Sequence, residues 1–187
     1  MSEQKEIYKK ALSFVLKWEG GYSNNPNDRG KMTFKGITQA AYNSYLLSKN
    51  MKAKPIATEY ETGTVPKGKQ FTHYRLKING KIVKDVDVVI HITQEEIEEI
   101  YFKRYWLAAK CDTMTPKFAV LCFDTAVNMG PGRNAEFLKA AEYKHPEKFL
   151  EARIAKYHEF AKVPSQRIFL KGWLNRMNSL KELLKII

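Results

Sequence analysis

The stretch PKFAVLCFDTAVNMG, residues 116–130, is apolar almost all the way round a helix. A helix with no polar face has to be covered on every side. Thr115-Pro116 marks its start, because proline is pre-shaped for the first helical position and its missing N–H is not needed there. Gly130 marks its end. The rest of the chain is therefore predicted to wrap around this central helix. With 187 residues, 44% of them apolar, the chain can bury such a core without disulfide staples. The two cysteines, Cys111 and Cys122, form no CxxC pair and read as free thiols.

The surrounding elements follow from periodicity. Ile7, Ala11, Phe14, Val15 and Trp18 make an apolar stripe for a helix over about 4–19, stopped by Gly20 and Gly21. Residues 22–36 are rich in Asn, Asp, Gly and Pro and read as loop, and a short helix covers about 38–48. Alternation on both sides of Asn79-Gly80 predicts a β-hairpin at about 71–92, preceded by a loop and set into the chain as an insertion over about 53–92. Thr93 and Glu96 make a capping box for a helix over about 94–109, with a stripe of Ile97, Ile100, Tyr101, Arg104 and Tyr105. Helices at about 133–143 and 146–161 follow. Pro164 opens a last helical region with a break near Gly172. The expected class is α+β, mainly helical, as a single domain over 1–187.

Charge and termini narrow the functional classes. A net charge of +12 suits a polyanionic partner: nucleic acid, an anionic membrane or an anionic cell wall. The basic residues are scattered, and no DNA-reading motif is present, so no specific nucleic-acid partner is expected. MSEQKEIYKKALSF has no apolar run ahead of its charges, and no stretch is long enough to span a bilayer. Synthesis in the cytoplasm without a signal peptide, as a monomer, is the expectation. His73, His91, His145 and His158 lack metal-ligand spacing, and neither metal nor organic cofactor is expected.

The chemistry concentrates between residues 18 and 38. Glu19 continues the stripe of Ala11 and Val15 and falls at a helix C-terminus, where the backbone dipole is negative. Burial and dipole both disfavour a carboxylate and favour the acid form, which suits a general acid. Asp28 lies among Asn24, Asn25, Asn27 and Arg29, a polar setting that keeps it ionised. Two carboxyl groups in contrasting settings are what glycoside hydrolysis uses. Gly20 and Gly21 would let a sugar ring approach the backbone. The residues alone also allow a plainer account, with Glu19 bonded to a buried partner and Asp28-Arg29-Gly30 an ordinary turn.

EGGYSNNPNDRGKMTFKGIT, residues 19–38, resembles the signature of glycoside hydrolase family 108, lysozyme-like N-acetylmuramidases of phage endolysins and related bacterial proteins. YFKRYW (101–106), FDTAVNMGPGRNAEFLKAA (123–141) and KGWLNRM (171–177) resemble three further family motifs in order. The resemblance implies a lysozyme-like fold, and a peptidoglycan hydrolase cutting the β-1,4 bond between N-acetylmuramic acid and N-acetylglucosamine. It implies Glu19 as catalytic acid. Comparison with phage lysozymes suggests Asp28, nine positions on, and Thr33 as partners. Lys31 and Lys35 depart from the pattern, standing where a glycine and an aromatic are usual, and no peptidoglycan-recognition stretch is evident after 141.

Tyr22, Lys35, Tyr105, Asp124, Asn128 and Asn175 are the candidate substrate contacts. Tyr22 and Tyr105 offer faces for stacking; Trp106 and Trp173 read as core. Asn128 and Asn175 end apolar runs, as sugar-binding amides or as helix caps. The expected partners are bacterial peptidoglycan and the anionic wall surface, reached after release from the cytoplasm. A non-catalytic wall-binding or secretion-associated protein on the same fold is the alternative.

Overall fold

The protein is described from a computed structural model, which covers residues 3–24, 32–49, 55–65, 69–78, 81–83, 89 and 92–187, the strands between 55 and 83 as backbone. The fold is α+β and mainly helical. It comprises two compact units, Met1–Trp18 with Tyr101–Ile187, and Glu19–Ile100. The expected insertion at 53–92 falls within the second unit, which opens earlier, at Glu19.

The first unit is built on α4 (Pro116–Met129), in which every residue from Phe118 to Ala126 is buried. This is the helix that the sequence requires to be enclosed. α1 (Glu3–Trp18) packs against it and buries Ile7, Tyr8, Ala11, Leu12, Phe14 and Val15. The Tyr8 ring meets Phe102, Trp106 and Phe123 edge-on at 5.1, 5.2 and 5.7 Å. α5 (Asn134–Ala140) and α6 (Pro146–Phe160) add Phe137 and Phe149, whose ring centroids lie 5.4 Å apart. α7 (Leu170–Leu183) follows a 3-10 segment, Pro164–Phe169. It runs unbroken through Gly172, contrary to expectation, because one glycine costs a helix only about 1 kcal/mol, less than packing supplies.

The helix expected at 94–109 is two structures. α3 (Gln94–Tyr101) gives way to a π-helix, Phe102–Leu107. The wider turn moves the inward face by one residue. Tyr101 is therefore followed inward by Trp106, five positions on, while Arg104 from the expected stripe is exposed. The capping box at its start forms as read. Glu96 N–H donates to Thr93 Oγ1 at 3.2 Å, and Thr93 N–H donates to the Glu96 carboxylate at 2.9 Å.

In the second unit, β1 (Ser23–Asn24), β2 (Met32–Phe34) and β3 (Ile37–Thr38) form an antiparallel sheet inside the stretch read as loop. Its second turn is Lys35-Gly36, with φ of +46° and +72°, closed by the pair Phe34–Ile37. Two consecutive positive φ values mark a type I′ hairpin turn. Thr38 then caps α2 (Gln39–Lys49), its Oγ1 accepting from Ala41 N–H at 3.1 Å. α2 is tied to α3 by two phenols. Tyr42 donates to Glu96 at 3.0 Å and Tyr45 to Glu99 at 2.7 Å. Burial, reinforced by the Glu99 carboxylate, pushes the Tyr45 phenol up to about 12.

The second sheet departs from the expected hairpin. β4 (Pro55–Val65), β5 (Lys69–Ile78) and β6 (Lys81–Val83) form a three-stranded meander. β4 was expected as loop, but its Thr, Tyr, Ile and Val content suits a strand, even without clean apolar alternation. Ile78 pairs with Lys81 as the hairpin requires, while Asn79 and Gly80 lie outside the described residues. Beyond Val83, residues 84–88, 90 and 91 of the expected strand lie outside the described residues, and neither Val89 nor Ile92 belongs to a strand. Val89 is buried and its N–H donates to Gln39 Oε1 at 2.7 Å, and Ile92 N–H turns back to Val89 O.

At the centre of the helical unit, Asp124 is fully buried and paired with two arginines. Arg153 Nη1 of α6 donates to Oδ2 at 2.6 Å, and Arg176 Nε and Nη2 of α7 donate to Oδ1 at 2.9 and 2.8 Å. Burial alone would raise the carboxyl pKa, but the two guanidinium charges outweigh it and hold it below the ordinary carboxylate range.

Asp124→Asn leaves buried arginines without their anion and should cost about 3–5 kcal/mol in denaturant unfolding. Because the folded pKa of Asp124 is lowered, its contribution is present above the unfolded carboxylate value of about 4 and lost as pH falls through the folded value. The wild type should therefore lose stability in acid more steeply than Asp124→Asn; equal slopes would refute this. Gly36→Ala, forcing a side chain into the left-handed region, should cost about 1–2 kcal/mol, read as a lower melting temperature.

Candidate functional site

Glu19 is half-buried and sits just beyond α1, which ends at Trp18, one residue earlier than the sequence suggests. The carboxylate thus follows the last helical residue, where unpaired carbonyls gather. Gly20 and Gly21 come next, both exposed. Among the described residues, a Cβ added to either meets nothing within 4 Å, and neither has a positive φ. Neither backbone geometry nor packing against the described protein therefore requires glycine at these positions.

Thr33 lies at the centre of β2, paired with Ser23 on one side and Thr38 on the other. Directly paired residues of antiparallel strands share a face, so three hydroxyl-bearing residues form a row across the sheet. Phe34 and Ile37 occupy the opposite face, where Ile37 is buried. Thr33 is half-buried and Ser23 exposed. Tyr22, 43% exposed, leads into β1. Lys35, at the tip of the β2–β3 turn, places its ammonium 5.6 Å from the centre of the Phe34 ring. Asp28 falls in residues 25–31, outside the described residues, between the two paired strands.

The remaining candidates belong to the helical unit. Tyr105 is half-buried in the π-helix, its ring 5.3 Å from that of Tyr101. Asn175 is exposed on α7. Asp124 corrects an expectation: it is wholly enclosed and joins α4, α6 and α7, so it offers no surface to a sugar. Asn128 is exposed at the end of α4, and its Oδ1 accepts from Tyr157 O–H at 2.7 Å. It is not the helix cap, since Gly130, at φ +86°, closes α4. Trp106 is core, and Trp173 is half-buried, stacked on Tyr157 at 4.9 Å and 17°.

Sequence reasoning missed Arg153, Tyr157 and Arg176. The signal was present, because Arg153 stands on the apolar stripe Phe149, Leu150, Tyr157, and a buried Asp124 requires such a cation. Burial pushes the Cys122 thiol up to about 12 and also raises that of Cys111, so neither serves as a thiolate nucleophile. Among the described residues, no group of His, Cys, Asp and Glu is arranged to hold a metal, and no helix is long and apolar enough to cross a membrane.

The solved structure of SagA from Brucella abortus shares the fold, with a TM-score of 0.61 over 97% of this chain and 95% of that one, at 20% identity. No curated protein matches the chain. The family model for glycosyl hydrolase 108 matches residues 12–130, from within α1 through α4 to its closing glycine. That span is well over half of the 187 residues, and the chain belongs to the glycosyl hydrolase 108 family.

Proposed function

We propose that this chain is an N-acetylmuramidase that hydrolyses the β-1,4 bond between N-acetylmuramic acid and N-acetylglucosamine in peptidoglycan. The observation that carries the reading is a half-buried Glu19 directly after a packed helix, inside the span matched by the glycosyl hydrolase model. In this reading Glu19 protonates the glycosidic oxygen. Asp28 stabilises positive charge at the anomeric carbon or orients water, and Thr33 holds that water or contacts the sugar. Retention would require the carboxyl groups to be about 5–5.5 Å apart and inversion about 6.5–9.5 Å.

Tyr22, Lys35, Tyr105, Asn128 and Asn175 are proposed as substrate contacts. The net charge of +12 supports adsorption to an anionic wall. The enzyme would act on that wall after release from the cytoplasm, as a phage endolysin or as a muramidase delivered by a secretion apparatus.

Glu19→Gln keeps the shape of the side chain and removes the acid. It should fold normally yet clear wall suspensions at least about a hundredfold more slowly. Mass analysis of wild-type digests should show fragments with reducing-end muramic acid. Reducing-end glucosamine or cleaved peptides would sink the bond assignment, and full activity in Glu19→Gln would sink the mechanism.

The two glycines offer a separate test. Gly20→Ala and Gly21→Ala meet no described atom and should leave the melting temperature unchanged or slightly raised, because Ala restricts the unfolded chain. If a sugar lies against this backbone, the same variants should raise KM severalfold. Unchanged kinetics would show that the glycines are not a substrate surface.

A further inference from the structure

Asp124 and Asn128 lie one helical turn apart on α4, and Arg153 and Tyr157 one turn apart on α6. They form two rungs of equal offset: Arg153 with Asp124, and Tyr157 with Asn128. The rungs are joined, since Arg153 Nη2 donates to Tyr157 Oη at 2.9 Å. Trp173 stacks on the ring of Tyr157 at 4.9 Å, and the Arg153 guanidinium lies 5.5 Å from the ring centre.

Donor and acceptor rules give this chain a direction. A guanidinium can only donate, so Tyr157 Oη accepts from Arg153 and must send its own hydrogen elsewhere. Tyr157 is 1% exposed, so that hydrogen goes to a protein acceptor rather than to bulk water. Asn128 Oδ1 stands at 2.7 Å to receive it. Burial also raises the Tyr157 pKa, although the Arg153 charge opposes the rise, so the phenol keeps its hydrogen at neutral pH. The Asn128 amide is thereby fixed with its oxygen inward, and its exposed side presents Nδ2, a pure donor.

We infer that Asn128 is a specificity-determining contact that donates to an amide carbonyl of the glycan, and that Tyr157, Arg153 and Asp124 are the positioning residues that fix it as a donor. The inference rests on the peptidoglycan reading above and deepens it. Each sugar of that polymer carries an N-acetyl carbonyl, an acceptor without a hydrogen of its own. A fixed donor would favour that group over the ammonium of a deacetylated sugar, which only donates.

The test uses the full chain carrying Glu19→Gln, and calorimetric titration with an N-acetylglucosamine hexamer and its fully deacetylated counterpart. The parent should prefer the acetylated hexamer. Tyr157→Phe retains the stacked ring and loses only the hydroxyl. Asn128→Asp retains an acceptor for Tyr157 and loses the donor. Each should weaken the acetylated hexamer about tenfold, the worth of one well-placed hydrogen bond. In Asn128→Asp the preference should pass to the amine form.

Adding Tyr157→Phe to Asn128→Ala should cause no further loss, because the phenol acts only through the amide. Melting curves separate folding from binding, and a merely structural role would weaken both hexamers alike. Undiminished acetyl preference in well-folded Tyr157→Phe, or additive losses in the double variant, overturns the inference. So does a parent that shows no preference. If wild-type protein leaves peptidoglycan uncut, the functional reading fails on its own, and the comparison of hexamers still decides the donor role.

Discussion

A carboxylate with no access to water stays ionised only if nearby charge replaces what hydration supplied. Asp124 meets that condition with two arginines from two different helices, so its ionisation and the assembly of α4, α6 and α7 depend on each other. The same contact explains how α4 can be apolar almost everywhere and still specify its neighbours. Hydrophobic surfaces alone permit sliding and rotation. An ion pair buried in the middle of the helix fixes both the azimuth and the height of α6 and α7 against it. Trp173, three residues before Arg176, then falls on Tyr157, so the aromatic stack is set by the same register.

The second unit is ordered by different means. Hydrogen bonds hold the ends of its elements: Thr38 at the start of α2, the Thr93–Glu96 box at the start of α3, and Gln39 on Val89. Two phenol–carboxylate bonds then join α2 to α3. The left-handed Lys35-Gly36 turn matters to the register of the sheet that carries Thr33.

The helices were legible in the sequence because their signals are local and redundant. α4 combines an apolar run, a proline start and a glycine stop, and α1 combines a clean stripe with Gly-Gly. The misses have physical causes. The π-turn at Phe102–Leu107 inserts one residue into the stripe, a shift that no 3.6-residue periodicity anticipates. β4 lacks clean apolar alternation, and β1 to β3 are too short to show periodicity at all. The sequence singles out Glu19 as an acid in register with an apolar stripe, although the helix itself ends one residue earlier. Asp124 lies in the apolar run of α4, and one sequence could not separate an acid facing substrate from one facing Arg153 and Arg176. That distinction lives in tertiary contact.

The joining of the two rungs has a consequence for how a stable core relates to a surface group. An exposed asparagine ordinarily samples several rotamers and both amide orientations, and ordering it on binding costs entropy. Here the ordering is done during folding. Asp124 orients Arg153, Arg153 orients the Tyr157 hydroxyl, and that hydroxyl selects the amide oxygen of Asn128. Each step follows from a group that can only donate, or a hydrogen that must be accepted, and none requires the surface residue to be buried. A contact at the end of such a chain is oriented by the core behind it, although the residue itself is exposed. Weakening the buried pair should therefore loosen the exposed amide before it unfolds the helix that carries it.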